Sequence, residues 1–147
     1  MKAPDFTLFD KDGNPVTLSS FLGKKVVLYF YPKDNTPGCT RQACAFADAY
    51  KGFVDKNVEV IGISKDSVAS HKKFAEKHSL PFPLIADTDT SLNQAFGVWK
   101  LKKMCGRESM GTVRTTFITD ANHVITHIIT KVDTKNAAQQ IIDILNK

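Results

Sequence analysis

Two runs of β-branched and aromatic residues constrain the fold most: Val26-Val27-Leu28-Tyr29-Phe30 and Val58-Glu59-Val60-Ile61-Gly62-Ile63-Ser64. Each is nearly continuous in apolar character, as a strand covered on both faces is. Between them a helical pattern starts at Cys39, with Ala43, Phe46 and Tyr50 at offsets of four, seven and eleven on the same face. Strand, helix and strand in that order imply parallel pairing of the two runs. Cys39 then looks inward, towards the sheet.

The rest of the chain builds on this unit. Residues 6–8 and 16–18 flank Asp10-Lys11-Asp12-Gly13-Asn14, which predicts an N-terminal hairpin. Ser19 to Gly23 reads as a short helical turn ended by glycine. Asp66 or Ser67 can cap a helix with Val68, His71, Phe74, Ala75 and His78 at helical spacing, and the two histidines are read as members of that stripe rather than ligands. Residues 84–86 form a short strand and residues 91–96 a brief helix, while residues 97–111 read as a loop. Residues 113–119 and 124–129 are strands joined tightly through Asp120-Ala121-Asn122-His123. Asp133 or Thr134 caps a last helix that carries Ala138, Ile141, Ile142 and Leu145 on one face. The expected architecture is α/β: a mixed sheet with helices on both faces, in a single domain spanning residues 1–147.

Composition excludes several classes. At 147 residues, 42% hydrophobic and 24% charged, the chain can bury a real core, and no apolar run approaches the roughly 20 residues of a membrane helix. No leader of the secretory kind is read at the start, so a cytoplasmic location is expected and no membrane association. The net charge of +5 comes from scattered lysines with no aromatic-interleaved stripe, so no nucleic-acid partner is expected. Three cysteines is an odd number, which argues against a disulfide framework. No pair has zinc-knuckle spacing, and neither metal nor cofactor is expected.

The reactive candidates cluster where the first buried run meets the helix. Pro32 ends the strand and Pro37 stands where a helix tolerates proline. Only a thiolate attacks, and a cysteine in a first helical turn faces unpaired backbone N–H groups and the positive end of the helix dipole. Thr36, three residues earlier, can place a hydroxyl beside Cys39. A structural cysteine at a helix start is the alternative. Cys44 is five residues on, about 140° round the helix, with the two Cα atoms about 8.7 Å apart. A disulfide needs them within roughly 7 Å. Cys39 and Cys44 can therefore bond only if the first turn unwinds. Arg114 heads a buried-looking strand and needs an anion, either a thiolate or a carboxylate of a structural salt bridge.

The segment Tyr29-Phe30-Tyr31-Pro32-Lys33-Asp34-Asn35-Thr36-Pro37-Gly38-Cys39-Thr40 resembles the active-site segment of peroxiredoxins, in particular the bacterioferritin comigratory protein (Q-type) subfamily. Residues 2–8, 60–67 and 113–117 extend the resemblance over nearly the whole chain. It implies a thioredoxin-like fold and a thiol-specific peroxidase acting on hydrogen peroxide and organic hydroperoxides in antioxidant defence and redox homeostasis. The family's Pro-x-x-x-Thr-x-x-Cys pattern falls on Pro32, Thr36 and Cys39. Cys39 matches the peroxidatic cysteine, Thr36 the hydroxyl that orients the peroxide, and Arg114 the arginine that stabilises thiolate and developing charge. Cys44 matches the resolving cysteine that some members carry in the same helix, which implies a Cys39–Cys44 intramolecular disulfide. Thioredoxin is the implied reductant and a monomer the implied state. The chain departs from the pattern in a shorter N-terminus, in Gln42 where glutamate is commoner, and in Cys105 where an aromatic is more typical. Two rivals stand beside this reading: a thiol–disulfide oxidoreductase on the same fold, and a basic redox-sensing module. The first usually rests on Cys-x-x-Cys and a proline before a late strand, whereas this chain has Cys-x4-Cys and Arg114-Thr115-Thr116.

Overall fold

The computed structural model describes residues 2–104 and 106–146. The first buried run becomes β3 (Lys25–Phe30), preceded by the expected hairpin of β1 (Thr7–Phe9) and β2 (Pro15–Thr17) and a 3-10 turn at Leu18–Phe21. Helix α1 (Pro37–Asp55) crosses to β4 (Val58–Ser64), which pairs parallel with β3 in the register Val27↔Val60 and Tyr29↔Gly62. Helix α2 (Val68–His78) leads to β5 (Leu84–Ala86), parallel to β4, and then to the short α3 (Ser91–Ala95). A hairpin of β6 (Trp99–Met104) and β7 (Arg107–Thr112) follows, then β8 (Thr115–Thr119), β9 (Ile125–Ile129) and α4 (Ala137–Leu145). The five-stranded sheet has the order β5-β4-β3-β8-β9, with β8 antiparallel to both β3 and β9.

Alternation along β3 divides the core. Val27, Tyr29 and Tyr31 join Phe46 and Phe53 of α1, Phe74 of α2 and Ile141 of α4 on one face. Val26, Leu28 and Phe30 join Leu18, Leu92, Val98 and Phe117 on the other. The Tyr29 and Phe46 rings lie 4.7 Å apart at their centroids, and truncating such a buried ring costs about 3–5 kcal/mol. Gly62 is required by this packing: a Cβ there would lie 2.8 Å from Tyr29 Cζ and from Leu84 Cδ2.

Three expectations are corrected. Residues 97–111 contain a regular antiparallel hairpin, paired Trp99↔Thr112 through Met104↔Arg107, rather than a loop. Its described side chains are mostly exposed, with Trp99 and Lys102 half-buried and Thr112 buried, so it lacks the apolar alternation that marks a strand with one buried face. The last helix starts at Ala137, after Asn136. Asp133 instead closes a turn ahead of it, accepting from Lys135 N and Asn136 Nδ2. Arg114 precedes β8 by one residue instead of lying within the strand. Cys105 lies outside the described residues.

Candidate active site

The site forms where pairing of β3 stops. Tyr31 N–H still reaches Ile63 O at 3.0 Å, and Pro32, lacking an N–H, ends the ladder. The chain turns through Asn35, whose φ is +62°, a left-handed conformation that asparagine tolerates well. Thr36 is extended and is the N-cap of α1, with Pro37 at the first helical position.

This helix start is bare. Thr36 makes no side-chain cap and the first turn holds no acidic residue. The Thr36 hydroxyl donates to Lys33 O at 2.9 Å instead, so among the described residues it is not bonded to the cysteine sulfur. Its oxygen lone pairs stay open to a donor. The first helical bond runs from Thr40 N to Thr36 O at 2.9 Å. The N–H groups of Gly38 and Cys39 precede it and have no intrahelical acceptor. The positive end of the helix is left for a negative ligand.

Cys39 stands in that turn, only 1% exposed. Arg114 Nη2 donates to its Sγ at 3.2 Å, and Arg114 Nη1 donates to Gln42 Oε1 at 2.7 Å. Gln42, one helical turn beyond Cys39 and fully buried, thus aims the guanidinium. Gly38 lets it approach: a Cβ there would stand 3.3 Å from Arg114 Nη2. Among the described residues no carboxylate lies within 4.0 Å of Arg114. A half-buried cation that faces a neutral amide and a sulfur is balanced when the sulfur is an anion. The salt-bridge alternative for Arg114 therefore fails among the described residues.

Cys44 is half-buried in the same unbroken helix, and neither cysteine is in a disulfide. Burial, and then the Asp48 carboxylate, push the Cys44 thiol above its ordinary range, which keeps it protonated. Tyr29 is pushed far up by burial, and next by the negative charge that Cys39 carries when ionised. Its hydroxyl, like Gln42 Nε2, has no partner among the described residues. Tyr29 is therefore no base for the site.

The sequence reading missed Gln42 as the second partner of Arg114, because an amide's contact across 72 residues has no local signal. It also missed Lys102, on the hairpin taken for a loop. Burial, then the Arg114 charge, push Lys102 down, while an ionised Cys39 opposes the shift. Asp34 and His71, buried beside the loop, were missed too. The stripe of α2 that carries His71 was legible, but its target was not.

The sequence matches the model of the AhpC/TSA family over residues 1–128. Peroxiredoxin Bcp of Bacillus subtilis is 52% identical over 119 residues, covering 81% of this chain and 76% of that protein. The fold superposes on a variant of Xanthomonas campestris peroxiredoxin Q with a TM-score of 0.91 at 35% identity, over 96% of this chain and 90% of that one. A structure of X. campestris bacterioferritin comigratory protein, described for its alkyl peroxide reduction activity, gives 0.90 at 34% identity, over 96% and 90% of the two chains. These neighbours make the fold thioredoxin-like. No helix among the described residues is long and apolar enough to cross a membrane. The chain belongs to the AhpC/TSA family and is a peroxiredoxin of the Bcp and peroxiredoxin Q group.

Proposed function

We propose that this peroxidase reduces hydrogen peroxide and organic hydroperoxides, including alkyl hydroperoxides, through Cys39, with Cys44 as the resolving cysteine. The observation that carries the reading is the Arg114 guanidinium, 3.2 Å from Cys39 Sγ and held from behind by a neutral amide. The Cys39 thiolate attacks the distal peroxide oxygen. The O–O bond breaks, the sulfur becomes a sulfenic acid, and the departing alkoxide takes a proton to leave as water or an alcohol. Thr36 accepts from the peroxide hydroxyl while donating to Lys33 O, which fixes the substrate's direction. The N–H groups of Gly38 and Cys39 and the Arg114 cation stabilise negative charge as it moves onto the peroxide oxygens. Pro32 keeps the strand end from running on into the site.

Resolution uses the weakness of the helix start. An uncapped N-terminus forgoes about 1 kcal/mol, and unwinding it brings Cys39 within reach of Cys44. The Cys44 thiol condenses with the sulfenic acid, forming the disulfide and releasing water. A dithiol protein, which we take to be thioredoxin, then restores both thiols by exchange. We read residues 1–147 as one domain, acting as a monomer in the cytoplasm in antioxidant defence, with Cys105 outside the cycle. Cys39→Ser protein should consume no peroxide, and Cys44→Ala protein should turn over once but not cycle with thioredoxin and its reductase. Undiminished consumption by Cys39→Ser protein would refute the assignment of Cys39. Normal cycling by Cys44→Ala protein would pass the resolving role to another thiol.

A further inference from the structure

Asp34 lies midway along the loop between Pro32 and Thr36, and its neighbours Lys33 and Asn35 are exposed. Asp34 itself is 5% exposed. Its Oδ1 accepts from the Tyr31 hydroxyl at 2.7 Å, and its Oδ2 accepts from Ser70 Oγ and His71 Nδ1, each at 2.8 Å. Its backbone N–H donates to Asp66 Oδ2 at 2.9 Å, which also accepts from Ser64 Oγ at 2.7 Å. His71, fully buried, donates through Nε2 to Ile85 O at 3.0 Å. Both ring nitrogens are engaged, Nδ1 lying also 3.4 Å from the Tyr31 hydroxyl, so the ring ties Asp34 to β5. The ligand atoms of Asp34, Asp66 and His71 lie within 4.8 Å of one another. All of them are engaged within the protein, so the cluster is an anchor rather than a cation site. Hydrogen bonds to Asp34 outweigh the cost of its burial and hold its carboxyl below the ordinary range, so the anchor stays charged at neutral pH.

We propose that Asp34 and His71 are positioning residues that pin the peroxidatic loop to α2 and β5, so that the unwinding needed for resolution stays on the Cys39 side of Thr36. The proposal rests on the roles assigned above to Cys39 and Thr36. The first step of the cycle needs Thr36 and the first turn of α1 in register, whereas the second needs that turn undone. An anchor upstream of Thr36 serves the first step alone. It is absent from the path of the second, because Cys39 and Cys44 both lie downstream. Loss of the anchor therefore separates the two rates, whereas general destabilisation moves both.

The test uses the full chain and times the two steps separately. Asp34→Asn keeps the size of the side chain and the acceptor for Tyr31, but turns an amide N–H₂ towards Ser70 and His71. In a Cys44→Ser background it should slow Cys39 oxidation by hydrogen peroxide about tenfold or more. With Cys44 present, the rate of disulfide formation from the sulfenic acid should stay within about twofold of the parent. Ser70→Ala, which removes one donor, should slow the first step by a few-fold, and His71→Gln by an intermediate factor. If Asp34→Asn protein does not fold, the order of the other two variants decides. Unchanged oxidation rates, or equal slowing of both steps, would overturn the proposal. Peroxide consumption by Cys39→Ser protein would instead overturn the site assignment and the anchor with it.

Discussion

Arg114→Met removes the guanidinium that stands in hydrogen-bond reach of Cys39 while keeping much of the side chain's apolar volume. With Nη2 at 3.2 Å from the sulfur, the centre of the guanidinium charge is about 4 Å away. At an effective dielectric constant near 20 the attraction is about 4 kcal/mol. Arg114 is half-buried, and solvent screening reduces this to about 2–3 kcal/mol. At tenfold per 1.36 kcal/mol, the second-order rate constant for Cys39 oxidation should fall about 30- to 150-fold. The measurement is a quenched-flow series with hydrogen peroxide at neutral pH, read by mass spectrometry of the Cys39 peptide, in a Cys44→Ser background. Arg114→Lys should fall between the two, because an ammonium cannot bridge Gln42 and the sulfur in the fixed geometry of a fork. A loss under threefold in correctly folded Arg114→Met protein would show that the cation does not act on the reacting sulfur.

Asp48→Asn removes the carboxylate that, after burial, holds the Cys44 thiol up. Alkylation of Cys44 by iodoacetamide near neutral pH should then quicken about two- to threefold, and an unchanged rate would remove Asp48 from the account. Gly62→Ala sets a methyl group against Tyr29 and Leu84. It should cost about 1–3 kcal/mol, read as a midpoint loss of about 2–4 °C per kcal/mol in thermal unfolding. Asp34 is held below its ordinary value of 3.8 in the folded chain, so its contribution to stability is present above that value and fades as pH falls through the lower one. Asp34→Asn protein should therefore lose less stability than the parent between about pH 5 and pH 2 in urea titrations, and parallel losses would contradict the charged anchor.

Much of this was legible because the signals are local. The runs at residues 25–31 and 58–64 announce covered strands, and Ala43, Phe46 and Tyr50 orient the helix so that Cys39 faces the core. Ser67 caps α2 by accepting from Ser70 N, as its position suggested. What was hidden depends on distant partners. Lys102 reads as one lysine among several until pairing with β7 makes a strand of its segment. His71 reads as a polar residue on an apolar stripe, because Asp34 and the Ile85 carbonyl are set opposite it only by the fold. Gln42 is a helix residue like any other until Arg114 arrives from 72 residues away. Thr36 stands at the N-cap of α1, and the partner of its hydroxyl, Lys33 O, is again set by the fold.

The proposed cycle asks one helix start to serve two incompatible tasks: setting Cys39 against Arg114 when wound, and giving Cys39 to Cys44 when unwound. It is tested most directly by treating the reduced protein with one equivalent of hydrogen peroxide and mapping its peptides by mass under non-reducing conditions. The account predicts a cross-linked peptide joining Cys39 to Cys44, with Cys105 alkylatable throughout. A Cys39–Cys105 cross-link, or an unmodified Cys39 after peroxide has been consumed, would contradict it.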